Sequence, residues 1–101
     1  MELIGEFSVD SGMAMVGDPC YLSDFENWDD SVESFDEHPK HKGKYSYLGA
    51  CNATLEKGYG QLGLASAVAF NTGYGDGLYP VYAKFNDDGR ISRIVIEFDE
   101  L

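Results

Sequence analysis

The chain is poor in basic residues, and this shortage limits what it can bind. It has 7 lysines and arginines against 18 aspartates and glutamates, so its 101 residues carry a formal net charge of −11. A nucleic-acid-binding surface needs clustered basic side chains that release counterions from phosphates, and an anionic membrane attracts the same side chains. We therefore expect neither a nucleic acid nor a membrane as partner.

Cysteines and long apolar segments are also scarce. The two cysteines are Cys20 and Cys51, and no apolar run approaches the roughly 20 residues that cross a bilayer. The first ten residues, MELIGEFSVD, lack the basic stretch, apolar core and small-residue cleavage site of a signal peptide. We expect a cytoplasmic protein with reduced thiols, and a disulfide between the two cysteines is the less favoured alternative.

The residues that are abundant indicate a single β-rich domain over residues 1–101. Hydrophobic residues make up 44% and aromatic residues 14% of the sequence, which is enough for a continuous core. Twelve glycines and seven tyrosines favour tight turns and strands.

Alternating apolar and polar residues predict six strands. Large side chains in QLGLASAVAF fall on one face and small ones on the other, so a helix or another part of the sheet is expected to pack closely on the alanine side. NDDG at 86–89 predicts a hairpin with a left-handed glycine. The predicted strands are 3–10, 13–16, 44–56, 61–70, 79–85 and 90–98.

One segment has the periodicity of a helix. Aromatic and aliphatic residues recur at spacings of three and four from Phe25 to Phe35, and Ser23 with Glu26 fits a capping box. Pro39 disfavours helix at the residue before it. These signals predict a short amphipathic helix at about 23–36, inside an insertion over 19–43.

Together these elements predict a mainly β (α+β) fold. About six antiparallel strands are expected in a small partial barrel or sandwich with one short amphipathic helix. The insertion separates an N-terminal hairpin from a four-strand meander.

The segment NTGYGDGLYPVY, residues 71–82, raises the question of a ligand-binding loop. A dinucleotide fingerprint places its glycines before a helix, whereas a predicted strand follows here, and the GK[ST] of a P-loop is missing. We expect a turn in which Gly73, Gly75 and Gly77 have positive φ and Asp76 bonds local amides. A loop that also touches a ligand is the alternative.

Three aspartates in glycine-flanked loops form the main candidate binding site. If the loops of Asp10, Asp18 and Asp76 meet, their carboxylates offer oxygen ligands to a divalent cation. The spacing matches no established calcium motif, so aspartates that stabilise loops are the favoured reading, and we expect no metal and no cofactor. Three tyrosines near these loops complete the site: Tyr21, Tyr74 and Tyr79.

Other candidates are weaker. Cys20 near His38 or His41 would suggest a hydrolase or transferase, but its acidic surroundings disfavour a thiolate. The two histidines alone are thin support for a metal site.

The predicted helix also carries an acidic face that can imitate phosphates and dock on a basic partner, although a solvated face is the simpler interpretation. Its partner-facing acids are Glu26, Asp29, Asp30, Glu33, Asp36 and Glu37, preceded by Asp24.

Several motifs together carry a family resemblance. VDSG at 9–12, GDPCYL at 17–22 and TGYGDGLYPVY at 72–82 occur in one chain. With these motifs the chain resembles a group of small bacterial and bacteriophage proteins, catalogued as a domain of unknown function, that share VD(S/A)G, (G)DP and GxGDGxYPV. The resemblance implies a compact β-rich fold and an accessory role in a phage or mobile element, and it transfers no catalytic residue.

The sequence therefore predicts a non-enzymatic acidic binding module that acts on a basic protein partner. The alternative is a small-molecule or divalent-cation-binding protein with its site at the Asp10, Asp18 and Asp76 loops. The oligomeric state is left open.

Overall fold

Six strands and one α-helix occur among the residues that the structure describes, in agreement with the mainly β fold that the sequence predicts. The computed structural model of the protein describes residues 1–26 and 42–99. Besides the strands it has a 3₁₀ helix over Pro19–Asp24 and helix α1 over Tyr47–Leu55. The strands are β1 Glu2–Val9, β2 Met13–Gly17, β3 Tyr59–Leu62, β4 Ala67–Asn71, β5 Gly77–Phe85 and β6 Ile91–Ile96.

The strands form two antiparallel sheets of three strands each, with orders β1-β5-β6 and β2-β4-β3. The described strands form no closed barrel. Because β1 and β2 belong to different sheets, the predicted N-terminal hairpin is wrong, and so is the uninterrupted four-strand meander. Turn residues mark where a strand ends, but they do not determine which distant strand it pairs with.

The chain divides into two compact units that do not follow its linear order. Unit 1 consists of Met1–Gly12 and Thr72–Leu101, and unit 2 consists of Met13–Asn71. Unit 1 therefore contains the sheet β1-β5-β6, and unit 2 contains the sheet β2-β4-β3 with helix α1.

In unit 1, the hairpin between β5 and β6 confirms the turn predicted from NDDG. The Asn86 N–H donates to the Arg90 carbonyl at 2.8 Å. Gly89 has a φ of +77°, the left-handed conformation that the turn requires.

In unit 2, residues predicted as a strand over 44–56 form helix α1 instead. The Ser46 hydroxyl caps the helix by accepting a hydrogen bond from the Gly49 N–H at 2.9 Å. The two alanines and two leucines of the helix favour it, whereas Gly49 in its interior does not. The alternation of apolar residues through YSYLGACNATL is coincidental.

Helix α1 packs on the small-residue face of β4. Ala67 and Ala69 are buried with Leu62 and Ala50 in one core cluster. The expected close approach of a helix to these alanines is therefore present, although α1 provides it rather than the predicted helix at 23–36.

The predicted strand at 61–70 is in fact two strands, β3 and β4, joined by the turn 63–66. Gly63 and Ala65 both have a φ of +60° in this turn. The turn changes the face on which later residues lie, so Leu62 is fully buried whereas Val68, predicted on the same face, is exposed. An inserted turn of this kind reverses the inward and outward positions that simple alternation predicts.

The predicted helix at 23–36 falls mostly outside the described residues. Its predicted start is wrong, because Ser23 lies in the 3₁₀ helix and Phe25 is extended with φ −72° and ψ +123°. Glu26 then forms a parallel bridge to Ser46. Residues 27–36, like most of the predicted insertion 19–43, lie beyond what the structure describes. Within the described ranges, the helices are too short and too polar to traverse a lipid bilayer.

Candidate functional site

The glycine-rich loop between β4 and β5 is a turn, and two of its three glycines need their conformational freedom. Gly73 and Gly75 have φ values of +83° and +82°. Gly77 does not have a positive φ and instead begins β5. The prediction of a turn is confirmed, and the predicted left-handed conformation at Gly77 is wrong.

The Gly75 carbonyl holds this loop in place. It accepts a hydrogen bond from the Thr72 hydroxyl at 2.6 Å and another from the Tyr79 hydroxyl at 2.7 Å. Thr72 is 2% exposed and Tyr79 is 8% exposed. The Tyr79 ring also contacts Phe7 and Phe98, with centroid distances of 6.4 and 5.0 Å. Tyr79 is therefore a structural residue of the unit 1 core.

Asp76 connects this loop to the turn after β1. Its carboxylate accepts a hydrogen bond from the Gly12 N–H at 2.8 Å. The Thr72 N–H in turn donates to the Gly12 carbonyl at 3.1 Å. The expected bonds to local amides are replaced by one bond to a residue 64 positions away, and sequence spacing gave no signal for that pairing.

Of the other residues of the predicted aspartate site, Asp18 and Tyr74 make separate hydrogen bonds, and Asp10 and Tyr21 are exposed. Asp18 caps the 3₁₀ helix of unit 2 by accepting from the Cys20 N–H at 2.8 Å, and Tyr21 lies exposed in the same helix. In unit 1, Asp10 is exposed, and the Tyr74 hydroxyl donates to an Asp99 carboxylate oxygen at 3.1 Å.

Metal ligation at the aspartate loops gains no geometric support. Within residues 1–26 and 42–99, no group of three or more histidine, cysteine, aspartate or glutamate side chains is placed to hold a metal ion. The carboxylates of Asp18 and Asp76 already accept backbone hydrogen bonds, as loop-stabilising aspartates do. Ligand binding at these loops stays a prediction.

The two cysteines are free and differ in environment. Cys20 is exposed, and Cys51 on helix α1 is half-buried. Burial raises the pKa of the Cys51 thiol, and a hydrogen bond with the Tyr47 side chain opposes part of that rise. Burial also raises the pKa of Tyr47, and the neighbouring Cys51 adds to the effect. His38 and His41 lie outside the described residues, so a pairing of either with Cys20 stays a prediction.

Acidic residues occur in both units, which over the full sequence have formal charges of −6 for unit 1 and −5 for unit 2. Of the predicted acidic helix, only Asp24 and Glu26 are described, and both are exposed. In unit 1, eight described acids stand against Lys84, Arg90 and Arg93, a formal charge of −5. In unit 2, four described acids stand against three lysines, a formal charge of −1. The acids of unit 1 are Glu2, Glu6, Asp10, Asp76, Asp87, Asp88, Glu97 and Asp99.

Unit 2 also contains a groove that sequence reasoning missed. It has a volume of about 580 Å³ and is lined by the end of α1, by β3 and by two lysines, Lys42 and Lys57. Gly60 of β3 lies against Ala53 of α1 so closely that a Cβ added there would be 3.0 Å from the Ala53 Cβ. The groove was not predicted because residues 44–56 were predicted as a strand and the groove is lined by the end of α1. Ser46 is a common N-cap residue and is the sequence signal that indicates the helix.

Comparison with protein families gives a match that covers nearly the whole chain. The model of the family described as "Protein of unknown function (DUF4241)" matches residues 2–96. Comparisons with curated proteins and with solved structures find no match.

Proposed function

The chain belongs to the DUF4241 family, and on that premise we propose that it is a non-catalytic acidic binding module that docks on a basic protein partner. The family description assigns no activity, so the proposal rests on the chemistry of this chain. Its partner is a protein with a basic surface, because a chain of net charge −11 repels nucleic acid and anionic lipid.

The observation that carries the proposal is the exposure of the acids on unit 1. Seven of its eight described acids are exposed, and the eighth, Glu97, is half-buried. Glu2 and Glu6 lie on β1, which is an outer strand of the unit 1 sheet. Complementary charge accelerates encounter with a basic partner and excludes acidic ones.

The docking surface is placed on unit 1 rather than on the predicted acidic helix. Over the full sequence the two units carry similar formal charges, −6 for unit 1 and −5 for unit 2, so the choice rests on the acids that unit 1 exposes among the described residues. The acids at 29–37 lie beyond the described residues. Docking through them is the competing expectation, and charge variants of the two sets of acids distinguish it from docking through unit 1.

The test is capture of partners from the native host at two salt concentrations, followed by titration of the recovered partner with purified protein. Electrostatic docking predicts a basic partner whose dissociation constant rises roughly tenfold or more between about 0.05 and 0.5 M NaCl, because salt screens exposed charges. A neutral or acidic partner, or an affinity independent of salt, would contradict the proposal.

The same preparation tests the alternative of a cation or small ligand at the aspartate loops. A ligand that binds only the folded protein raises its melting temperature with concentration. If calcium produces such a rise and Asp18→Asn with Asp76→Asn abolishes it, the alternative replaces our proposal.

Location and origin complete the proposal. We place the protein in the bacterial cytoplasm, where its two free thiols suit a reducing compartment. An accessory role in a bacteriophage or mobile element is supported by the motif resemblance, and phage genes flanking its coding sequence are the expected genomic context.

A further inference from the structure

The groove of unit 2 differs in charge from the rest of this acidic protein. Lys42 and Lys57 line it, and Glu56 is the acid among its lining residues. The groove therefore has a formal charge of +1 within a chain of −11. Cations that line a cavity in an acidic protein favour an anionic ligand at that place.

The remaining lining suits an organic body attached to the anion. Leu55, at the end of α1, is 65% exposed and offers apolar contact at the groove. Asn52 adds a carboxamide that can donate or accept hydrogen bonds. Gly60 of β3 lies close to Ala53 of α1, so the strand and the helix meet through residues with little or no side chain. A volume of about 580 Å³ lies within the range of small-molecule sites.

We propose that this groove binds a small organic anion, a carboxylate or a phosphate ester, whose charged group is held by Lys42 and Lys57. This site is independent of the docking surface on unit 1 and of the predicted aspartate loops.

Besides the Glu56 carboxylate, a second local effect opposes an anion here, and its size can be compared with the lysine contacts. The carbonyl end of α1 lies at the groove, and a helix C-terminus carries partial negative charge that disfavours anions by about two- to fivefold. A hydrogen bond from a charged group contributes roughly tenfold or more. Two lysines therefore outweigh the helix end.

The test is an NMR titration of ¹⁵N-labelled protein with four probes that share one ring. Phenyl phosphate and benzoate carry the two anionic groups, phenol is neutral and benzylamine is cationic. We expect saturable shifts of the Gly43 and Gly60 amides, which line the groove, with one or both anions and not with phenol or benzylamine. Which anion binds more tightly identifies the ligand class.

Charge variants locate the site. Lys42→Gln with Lys57→Gln should weaken anion binding at least roughly tenfold. Lys42→Arg with Lys57→Arg keeps both positive charges and should retain binding. Lys84→Gln on β5 of unit 1 removes a single lysine charge elsewhere and should change nothing. The proposal is overturned if neither anion gives saturable shifts at millimolar concentration, if phenol binds equally well, or if Lys84→Gln weakens binding as much as the groove variants. The spectrum of each variant shows directly whether it is folded.

Discussion

Removing the two donors to the Gly75 carbonyl tests whether the glycine loop is a locked turn. Thr72→Val and Tyr79→Phe each delete one hydroxyl and keep the shape of the side chain. In the structure these hydroxyls donate to the same carbonyl oxygen, at 2.6 and 2.7 Å. Either single variant leaves one donor in place, whereas the double variant removes both.

The shared acceptor makes the two losses non-additive. Each single variant should lower the free energy of unfolding by about 1 kcal/mol, the net value of one hydrogen bond. The double variant leaves the carbonyl of a half-buried residue without these donors, which costs a further 1–3 kcal/mol or so. We therefore expect the double variant to exceed the sum of the singles by about 1–2 kcal/mol.

Urea unfolding followed by far-ultraviolet circular dichroism measures the four free energies of this cycle. Tyr82→Phe is the matched control, because it removes the same hydroxyl from the opposite face of β5. Strict additivity, or an equal loss from Tyr82→Phe, would show that Gly75 is not a shared acceptor and would refute the locked turn.

Three further predictions concern single positions. Gly75→Ala should lower the free energy of unfolding by about 1–2 kcal/mol because its φ is +82°, whereas Gly77→Ala should change it by less than about 0.5 kcal/mol; equal effects in thermal unfolding would contradict this. Leu62→Ala empties a fully buried site and should cost about 2–5 kcal/mol in the same assay, so a loss below about 1 kcal/mol would count against the core of unit 2. Thiol labelling of native protein should be fast at Cys20 and slow at Cys51, and labelling at Cys51 should rise at higher pH than for an ordinary thiol because burial raises its pKa. Because the folded pKa is raised, the stability contributed by Cys51 is present below the thiol's unfolded pKa and is lost as pH rises through the folded pKa. Cys51→Ala should therefore reduce the fall in the free energy of unfolding at alkaline pH. Equal labelling at the two cysteines would contradict the burial of Cys51.

Local sequence signals predicted the elements whose causes are themselves local. Period-two alternation located β1, β5 and β6, the DSG turn indicated the start of β2, and NDDG located the turn before β6. Glycine at alternate positions correctly indicated a turn at 73–75, because positive φ is a property of single residues.

Two errors came from patterns that have more than one physical meaning. Residues 44–56 alternate like a strand, yet the Ser46 cap and the alanines and leucines of the segment favour the observed helix. Residues 61–70 read as one strand because nothing in the alternation signals the turn at 63–66. Because of that turn, Leu62 is buried and Val68 is exposed, although alternation predicts them on the same face.

Non-local contacts were beyond single-sequence reasoning. The bond from Gly12 to Asp76 and the pairing of β1 with β5 join residues at opposite ends of the chain. The groove depends on α1, so an error in one element concealed a site. The acids of unit 1 were visible in the sequence, but their assignment to one unit required the fold.

The salt dependence of partner binding by charge variants tests the acidic docking surface most directly. One variant neutralises four exposed acids of unit 1, and a matched variant neutralises four acids of the segment 29–36. The first comprises Glu2→Gln, Glu6→Gln, Asp87→Asn and Asp88→Asn; the second comprises Asp29→Asn, Asp30→Asn, Glu33→Gln and Asp36→Asn.

The quantity to measure is the slope of log Kd against log salt concentration for the captured basic partner. Docking through unit 1 predicts that the first variant loses roughly half of that slope or more and binds at least about tenfold more weakly at low salt, while the second behaves like the wild type. A wild-type slope in the unit 1 variant would contradict the proposed function.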